Sequence, residues 1–331
     1  MTKFYWFLGH EQFQPEVLVE RARLAEEAGF EGLAVSEHFH PWVDDSGAGG
    51  FAWATLGAIA QATDRVSLMT AVVTPLWRYH PAVVAQAAAT ADRLSGGRFA
   101  LGVGTGENIN EGPLGYEFPV YAERAARMDE ALNIMRRLLD GAQLDFDGKY
   151  YRTRGARLYS PPVTRVPIYL AAAGPKSARL AATQADGVIV SVKDADEALD
   201  KVVNPAREES EGGRPVVVAQ HWTVRGHDAA ESWRALAAWR GLRAPSRATA
   251  TDPAVLRREA DELPREEVLG KYDRVESAED YVRAYSGVIR RVRPDILTIN
   301  TAAIDDRATM QMIAADVLPE LRKLAKEGAK K

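Results

Sequence analysis

The residues best suited to chemistry sit at the ends of apolar runs. Ser36-Glu37-His38-Phe39-His40-Pro41-Trp42 follows one such run, and Gly104-Thr105-Gly106-Glu107-Asn108-Ile109-Asn110 follows another. An imidazole with an ordinary pKa of about 6.5 exchanges a proton near neutrality, and a neighbouring carboxylate would orient it. His38 is therefore the candidate general base. Glu107, two strands away, is the candidate acid, a role that needs desolvation or a second negative charge to keep the carboxyl protonated. A lone His or Glu at a strand end is as often structural as catalytic; their joint placement at one rim favours chemistry.

Other motifs are less specific. Trp42 suits the core and an aromatic pocket wall equally well. Ala173-Gly174-Pro175-Lys176-Ser177 is a turn opening a helix, where free N–H groups and the helix dipole suit a phosphate; an ordinary strand-to-helix turn reads the same way. Gly102-Val103-Gly104-Thr105-Gly106 has the wrong spacing for a dinucleotide fingerprint. His38 and His40 could share a metal, but such sites also need ligands from later strands, and strands five and six end without histidine, so no metal is expected.

These segments require a scaffold that brings strand ends to one place. Strand signals fall at Phe4–Leu8, Gly32–Ser36, Val66–Val72, Arg98–Val103, Pro167–Ala171, Gly187–Ser191, Pro215–Thr223 and Asp295–Asn300. Helical patterns alternate with them, at Pro15–Ala28, Trp53–Thr63, Pro81–Leu94, Tyr121–Leu139, Pro175–Ala185, Ala195–Glu209 and Arg307–Lys326. Short unbroken apolar strands alternating with helices predict an α/β fold, a (β/α)8 TIM barrel whose active site lies at the strands' carboxyl ends. Two insertions are expected at that face of a single domain covering 1–331, near 140–166 with a hairpin signal at Asp145–Arg152, and at 229–293. The basic end, Lys323–Lys331, reads as a frayed tail.

Composition excludes several classes. Of 331 residues, 46% are hydrophobic, enough for a large core, and the net charge of −4 gives no reason to expect nucleic acid as a partner. The absence of cysteine rules out thiolate nucleophiles, disulfides and cysteine-bound metals. Met1–Leu8 lacks a signal peptide's core and cleavage site, and no apolar run is long enough for a bilayer. The expectation is a cytoplasmic protein with a small-molecule substrate and no membrane partner.

With these residues assembled, the sequence resembles the bacterial luciferase-like superfamily. Within it, the likeness is to the glucose-6-phosphate dehydrogenase group that uses the deazaflavin coenzyme F420. The stretches carrying it are SEHFHPW at 36–42, TPLWRYHPAVVAQA at 74–87, LGVGTGENIN at 101–110, FDGKYYR at 146–152 and LAAAGPKSA at 170–178. The resemblance implies hydride transfer from a CH–OH group to F420. It makes His38 the base that takes the hydroxyl proton, Glu107 the acid toward the deazaflavin, Trp42 a residue steadying the intermediate state and Glu11 a supporting carboxylate. The two catalytic groups would flank the coenzyme ring from opposite sides. The resemblance also implies ring contacts from Glu37, Thr74, Thr105, Gly106 and Asn110, with a cis peptide at Ala71–Val72. Ala173, Gly174, Lys176 and Ser177 would form the phosphate turn.

Ser191, Lys193, Arg247 and Lys271 correspond to a sugar-phosphate pocket, with departures. Ser191 replaces a Thr, Lys193 is offset, Lys271 replaces an Arg, Glu37 replaces an Asp and His40 a Gln. Arg and Lys are not equivalent at a bidentate phosphate contact. Alternatives are an F420-dependent dehydrogenase of a free sugar or secondary alcohol, an FMN-dependent monooxygenase, and a noncatalytic coenzyme carrier. The family is commonly dimeric, and the Ala-rich helices near 52–62 and 81–91 are the expected homodimer face.

Overall fold

The computed structural model describes residues 1–210 and 213–328. Its first half runs β1 (Lys3–Leu8), α1 (Pro15–Glu27), β2 (Gly32–Val35), α2 (Ala52–Ala62), β3 (Ser67–Thr70), α3 (Pro81–Leu94), β4 (Phe99–Val103), α4 (Asn108–Glu111) and α5 (Tyr121–Leu139). A hairpin of β5 (Leu144–Asp147) and β6 (Arg152–Ala156) follows, then β7 (Ile168–Ala171), α6 (Pro175–Gln184) and β8 (Gly187–Ser191). Next come α7 (Ala195–Ala198) and α8 (Asn204–Glu209), joined by a π-helical turn, and β9 (Val216–Arg225). The chain continues through α9 (Ala229–Ala235), α10 (Pro253–Glu262), α11 (Arg265–Leu269), β10 (Asp273–Val275), α12 (Ala278–Val292) and β11 (Ile296–Ala302). It ends in α13 (Asp306–Met312) and α14 (Leu318–Gly328), again joined by a π-helical turn.

Eight strands close in parallel, in the order β1-β2-β3-β4-β7-β8-β9-β11 and back to β1. The expected barrel is therefore present. Alternation along each strand separates two cores. Tyr5, Ala34, Met69, Tyr169, Ile189, Val218 and Ile296 fill the interior, whereas Phe4, Trp6, Leu33, Leu68 and Leu101 pack outward against the helices. Proline at the first position of α1, α3 and α6 supplies the helical φ without wasting a donor. Gly29 ends α1 in the left-handed conformation, at φ 86°.

The segment 229–293 differs from a simple insertion. Its last part, α12, is the crossover helix between the seventh and eighth barrel strands. The buried positions Tyr281, Tyr285, Val288, Ile289 and Val292 keep a helical period beneath a charged outer face. Ser277 and Asp280 cap it reciprocally, at 3.3 and 3.0 Å, and those bonds pull Asp280 down to about 2. The terminal tail also departs from expectation. Residues 323–328 continue α14, because Leu318, Leu321 and Ala325 are buried on one face of that helix; 329–331 lie outside the described residues.

Close approach of two strands fixes Gly102. A Cβ there would stand 2.0 Å from the Thr70 carbonyl oxygen, while the Thr70 hydroxyl bonds both the N–H and the C=O of Gly102, at 2.9 and 2.8 Å. Gly102→Ala should therefore separate β3 from β4 and cost about 3 kcal/mol, read as a lower urea midpoint. An unchanged midpoint would contradict this packing.

Candidate active site

His38 emerges three residues beyond β2, with its ring largely enclosed. Its Nδ1 lies 3.0 Å from the His40 carbonyl oxygen. A carbonyl only accepts, so Nδ1 carries the hydrogen and the Nε2 lone pair is left free in the neutral ring. That Nε2 stands 3.4 Å from Glu11 Oε1 and 3.6 Å from Glu107 Oε2. One proton placed between Nε2 and either carboxyl satisfies the contact, the arrangement required for moving a proton.

Both carboxylates are held from behind. Glu11 is 3% exposed and accepts the Ser36 hydroxyl, whose oxygen takes the His10 N–H at 2.9 Å. His10 itself is structural. Its Nδ1 donates to the Ser36 carbonyl at 2.8 Å, its Nε2 meets Thr55 Oγ1 at 2.9 Å, and burial lowers its pKa. Glu107 pairs with Arg247 from the 229–293 segment.

Trp42 resolves toward the core while keeping one face at the site. It is 3% exposed and belongs to a hydrophobic cluster with Ile109, Trp239, Leu256, Leu269 and Tyr272. Its ring lies 4.8 Å from His38, and the Arg247 guanidinium lies 5.2 Å above it. Gly241 presses on its backbone so closely that a Cβ would meet the Trp42 carbonyl oxygen at 2.0 Å. Salt bridges from Arg240 to Asp45 and from Arg257 to Asp44, each at 2.6 Å, hold the two segments together, and Asp261 fixes Arg240 from within its own segment at 2.8 Å.

Beside His38 opens a cavity of about 430 Å³, a size suited to a cofactor-class ligand. Ala71, Val72, Ala171, Ala172 and Ile189 form its apolar floor, and the Ala71–Val72 peptide is cis, as the resemblance implied. Glu37, Thr74, Thr105, Gly106, Glu107 and Asn110 line one wall; Ala173, Ser177, Ser191 and Arg247 also reach it. Gly106 adopts φ 81°, a conformation that favours glycine. Asn110 Oδ1 accepts the N–H groups of Phe39 at 2.9 Å and His40 at 3.3 Å.

Several expectations need correction. His38 and Glu107 are in contact, whereas groups flanking a planar ring would stand about 7 Å apart, two van der Waals separations. In this structure both line the cavity in direct contact with each other. Lys193 and Lys271 are exposed and do not line it; Lys176 is exposed as well, and Gly174 is also outside the lining. The Ala173 and Gly174 N–H groups of the expected phosphate turn point to Ser177 Oγ, at 3.3 and 3.4 Å.

The cations that line the cavity are Arg247 and Arg124, and the second was missed. Arg124 lies on α5, stacked 4.3 Å from the Phe118 ring, with its Nε buried and without a hydrogen-bond partner. Its place in an amphipathic helix, away from any strand end, gave no local signal. Gln220 and Tyr121 also line the cavity. Gln220 follows the inward-facing Val216 and Val218 at period two, a signal present in the sequence but unused.

A buried ion cluster was missed as well. Arg78 forks onto Glu37 at 2.7 and 2.9 Å and reaches Glu111 at 3.2 Å; the three side chains are 5%, 3% and 0% exposed. The Tyr79 hydroxyl adds a bond to Glu37 at 3.2 Å. Arg78→Met would leave two buried carboxylates without their cation. A loss of about 3–5 kcal/mol is expected, and a smaller change in denaturation would mean that solvent reaches the cluster.

An imidazole between two carboxylates at the rim of a TIM barrel, beside a cavity of about 430 Å³, fits an enzyme acting on a small molecule. The chain belongs to the luciferase-like monooxygenase family, whose model matches residues 2–293. It is similar to the F420-dependent glucose-6-phosphate dehydrogenase of Mycolicibacterium smegmatis, at 37% identity over 95% of this chain and 96% of the relative. The enzyme of the same name from Nocardia farcinica is 38% identical, with the same coverage. Among solved structures, an F420-dependent secondary alcohol dehydrogenase in complex with an F420–acetone adduct is 28% identical. It covers 97% of this chain and 100% of its own, with a TM-score of 0.89. The family and fold expected from the motifs are borne out.

Proposed function

We propose that this protein is a coenzyme F420-dependent dehydrogenase that takes hydride from the CH–OH group of a sugar phosphate of the glucose-6-phosphate type. The observation that carries the reading is the near-full-length likeness to dehydrogenases of that name. The cavity fits such a coenzyme: Ala71, Val72, Ala171, Ala172 and Ile189 give it apolar lining, and Gly106 adds no side-chain bulk. Ala71, Val72, Thr74, Thr105, Gly106 and Asn110 would hold the ring, with Glu37 behind them. A phosphate at the Ala173–Ser177 turn, with Gly174 and Lys176, would have to take over the Ala173 and Gly174 N–H groups from Ser177 Oγ. When bound, the deazaflavin supplies the hydride acceptor.

The chain's own groups manage the proton. His38 Nε2, free to accept, takes the substrate hydroxyl proton. Glu11, held by Ser36, stabilises the imidazolium so formed, and Trp42 limits where the ring can move. Glu107 is the second proton-handling group, and Arg247 lies against it as a binding cation. Ser191 and Arg247 face the substrate. Lys193 and Lys271 contribute to an anion site only if their segments approach the cavity. Their exposed positions, with the likeness to the secondary alcohol dehydrogenase, favour a second reading in which the substrate is an uncharged secondary alcohol.

The barrel and its 229–293 segment act as one domain, in the cytoplasm, as a homodimer. Support for the dimer comes from the face of α2 and α3, where Phe51, Val83 and Leu94 are 56%, 51% and 43% exposed around an apolar groove. A second copy would cover them. Val83→Asp should convert the dimer to monomer in light scattering; a wild-type monomer would end this part of the proposal.

The activity is tested by F420 reduction across glucose 6-phosphate, glucose and 2-propanol. His38→Ala and Glu107→Gln are expected to keep coenzyme binding and lose about 100-fold or more in kcat. Turnover of 2-propanol alone would establish the second reading. Tight FMN binding with oxygen consumption would replace both with a monooxygenase.

A further inference from the structure

The loop after β4 winds directly into α4, and this single turn grips the segment that carries His38. Glu107 precedes the turn and meets His38 Nε2 at 3.6 Å. Asn110 binds the backbone of Phe39 and His40, the residues after His38. Glu111 reaches Glu37, the residue before it, through the Arg78 guanidinium. His38 is thus bracketed on both flanks by one helical turn. Within this bracket one atom has no partner: Glu111 Oε2, in a residue with no exposure.

We propose that Glu111 is a positioning residue for the reacting pair, acting in its protonated form; the link to catalysis rests on the dehydrogenase reading above. Two buried carboxylates on one guanidinium leave an excess negative charge, and a proton on Glu111 removes it. The groups facing Glu111 are Arg78 and Tyr79, from the segment before α3, and Glu37, from beyond β2. Burial raises Glu111 most; Arg78 opposes the rise and Glu37 adds to it, leaving the carboxyl pushed up to about 7. Burial and Glu37 also raise Tyr79, so its phenol stays protonated across this range. Loss of the Glu111 proton sets two full negative charges against Arg78, weakens its hold on Glu37 and loosens the bracket.

The linkage has a definite sign. The folded chain holds a proton on Glu111 between about 4.5 and 7, where the unfolded chain has released it, so stability from this group falls as pH rises through that window. Glu111→Gln imitates the protonated acid. In thermal unfolding without coenzyme or substrate, the Tm of E111Q minus that of wild type should grow from about pH 5 to 7 and level off near pH 8. A constant difference would overturn the assignment. In kcat/KM, wild type should decline through neutrality by about threefold more than E111Q; superimposable profiles would remove the positioning role.

Should E111Q fail to fold, carboxyl carbon NMR of wild type labelled in glutamate reads the same group. A glutamate resonance titrating near pH 7 is expected, and none above about pH 6 would overturn the proposal. Unfolding and NMR need no coenzyme. A failed F420 assay would therefore count against the dehydrogenase reading while leaving the Glu111 result to stand by itself.

Discussion

A guanidinium with almost no access to water holds the rim of this barrel together. Arg78 stands on the segment between β3 and α3, Glu37 on the segment after β2 and Glu111 on the one after β4. Three consecutive strand-to-helix connections therefore meet at one cation. Loops at this face of a barrel are normally the most variable and mobile part of the fold. A buried ion pair adds little net stability over an apolar replacement, because desolvation offsets the Coulombic gain. What it provides is a directional requirement: the fork accepts Glu37 in one orientation only, and His38 is the next residue.

The second constraint comes from above. Trp42 lies where the barrel and the 229–293 segment share a hydrophobic cluster, and its remaining face touches the imidazole. The Arg240 bridge to Asp45 and the Arg257 bridge to Asp44 flank that contact. They are partly exposed and contribute modestly to stability, but they act together on one short loop. The imidazole is thus placed by charge on one side and by packing on the other.

Most of the scaffold was legible in the amino-acid order. Pro81–Leu94, Tyr121–Leu139 and Gly187–Ser191 match expectation residue for residue, because a proline start, a helical apolar period and an unbroken apolar run mark them locally in turn. The His38 and Glu107 segments were legible for the same reason, since a barrel leaves strand ends nowhere else to go. The Arg78 cluster was not, because its members lie 33 and 41 positions apart and nothing near any of them announces a partner. Lys193 and Lys271 present the opposite case. Likeness placed them in a pocket, but side-chain direction is a property of the folded backbone, and theirs lead to solvent. The crossover helix α12 escaped notice because its charged outer face, with Arg283, Arg290 and Arg291, masked the period of its buried one.

The longest barrel strand sets how the cover over the site is attached. β9 pairs with β8 at its base and with β11 along most of its length, while β10 takes over the β8 edge at Thr223–Arg225. His221 seals that change of partner, bonding the Val192 carbonyl at 2.7 Å and Asp273 at 2.9 Å. β9 therefore stands above the rim like a mast, and the roof is moored to it by backbone hydrogen bonds. The opposite eave, around Arg247, meets the barrel through side chains of the rim: Glu107 on Arg247, Asn108 on the Thr249 carbonyl at 2.5 Å and His40 on the Thr251 carbonyl at 3.1 Å. The two edges of the roof are thus tied differently, by a backbone ladder at the mast and by side-chain contacts at the eave beside Glu107.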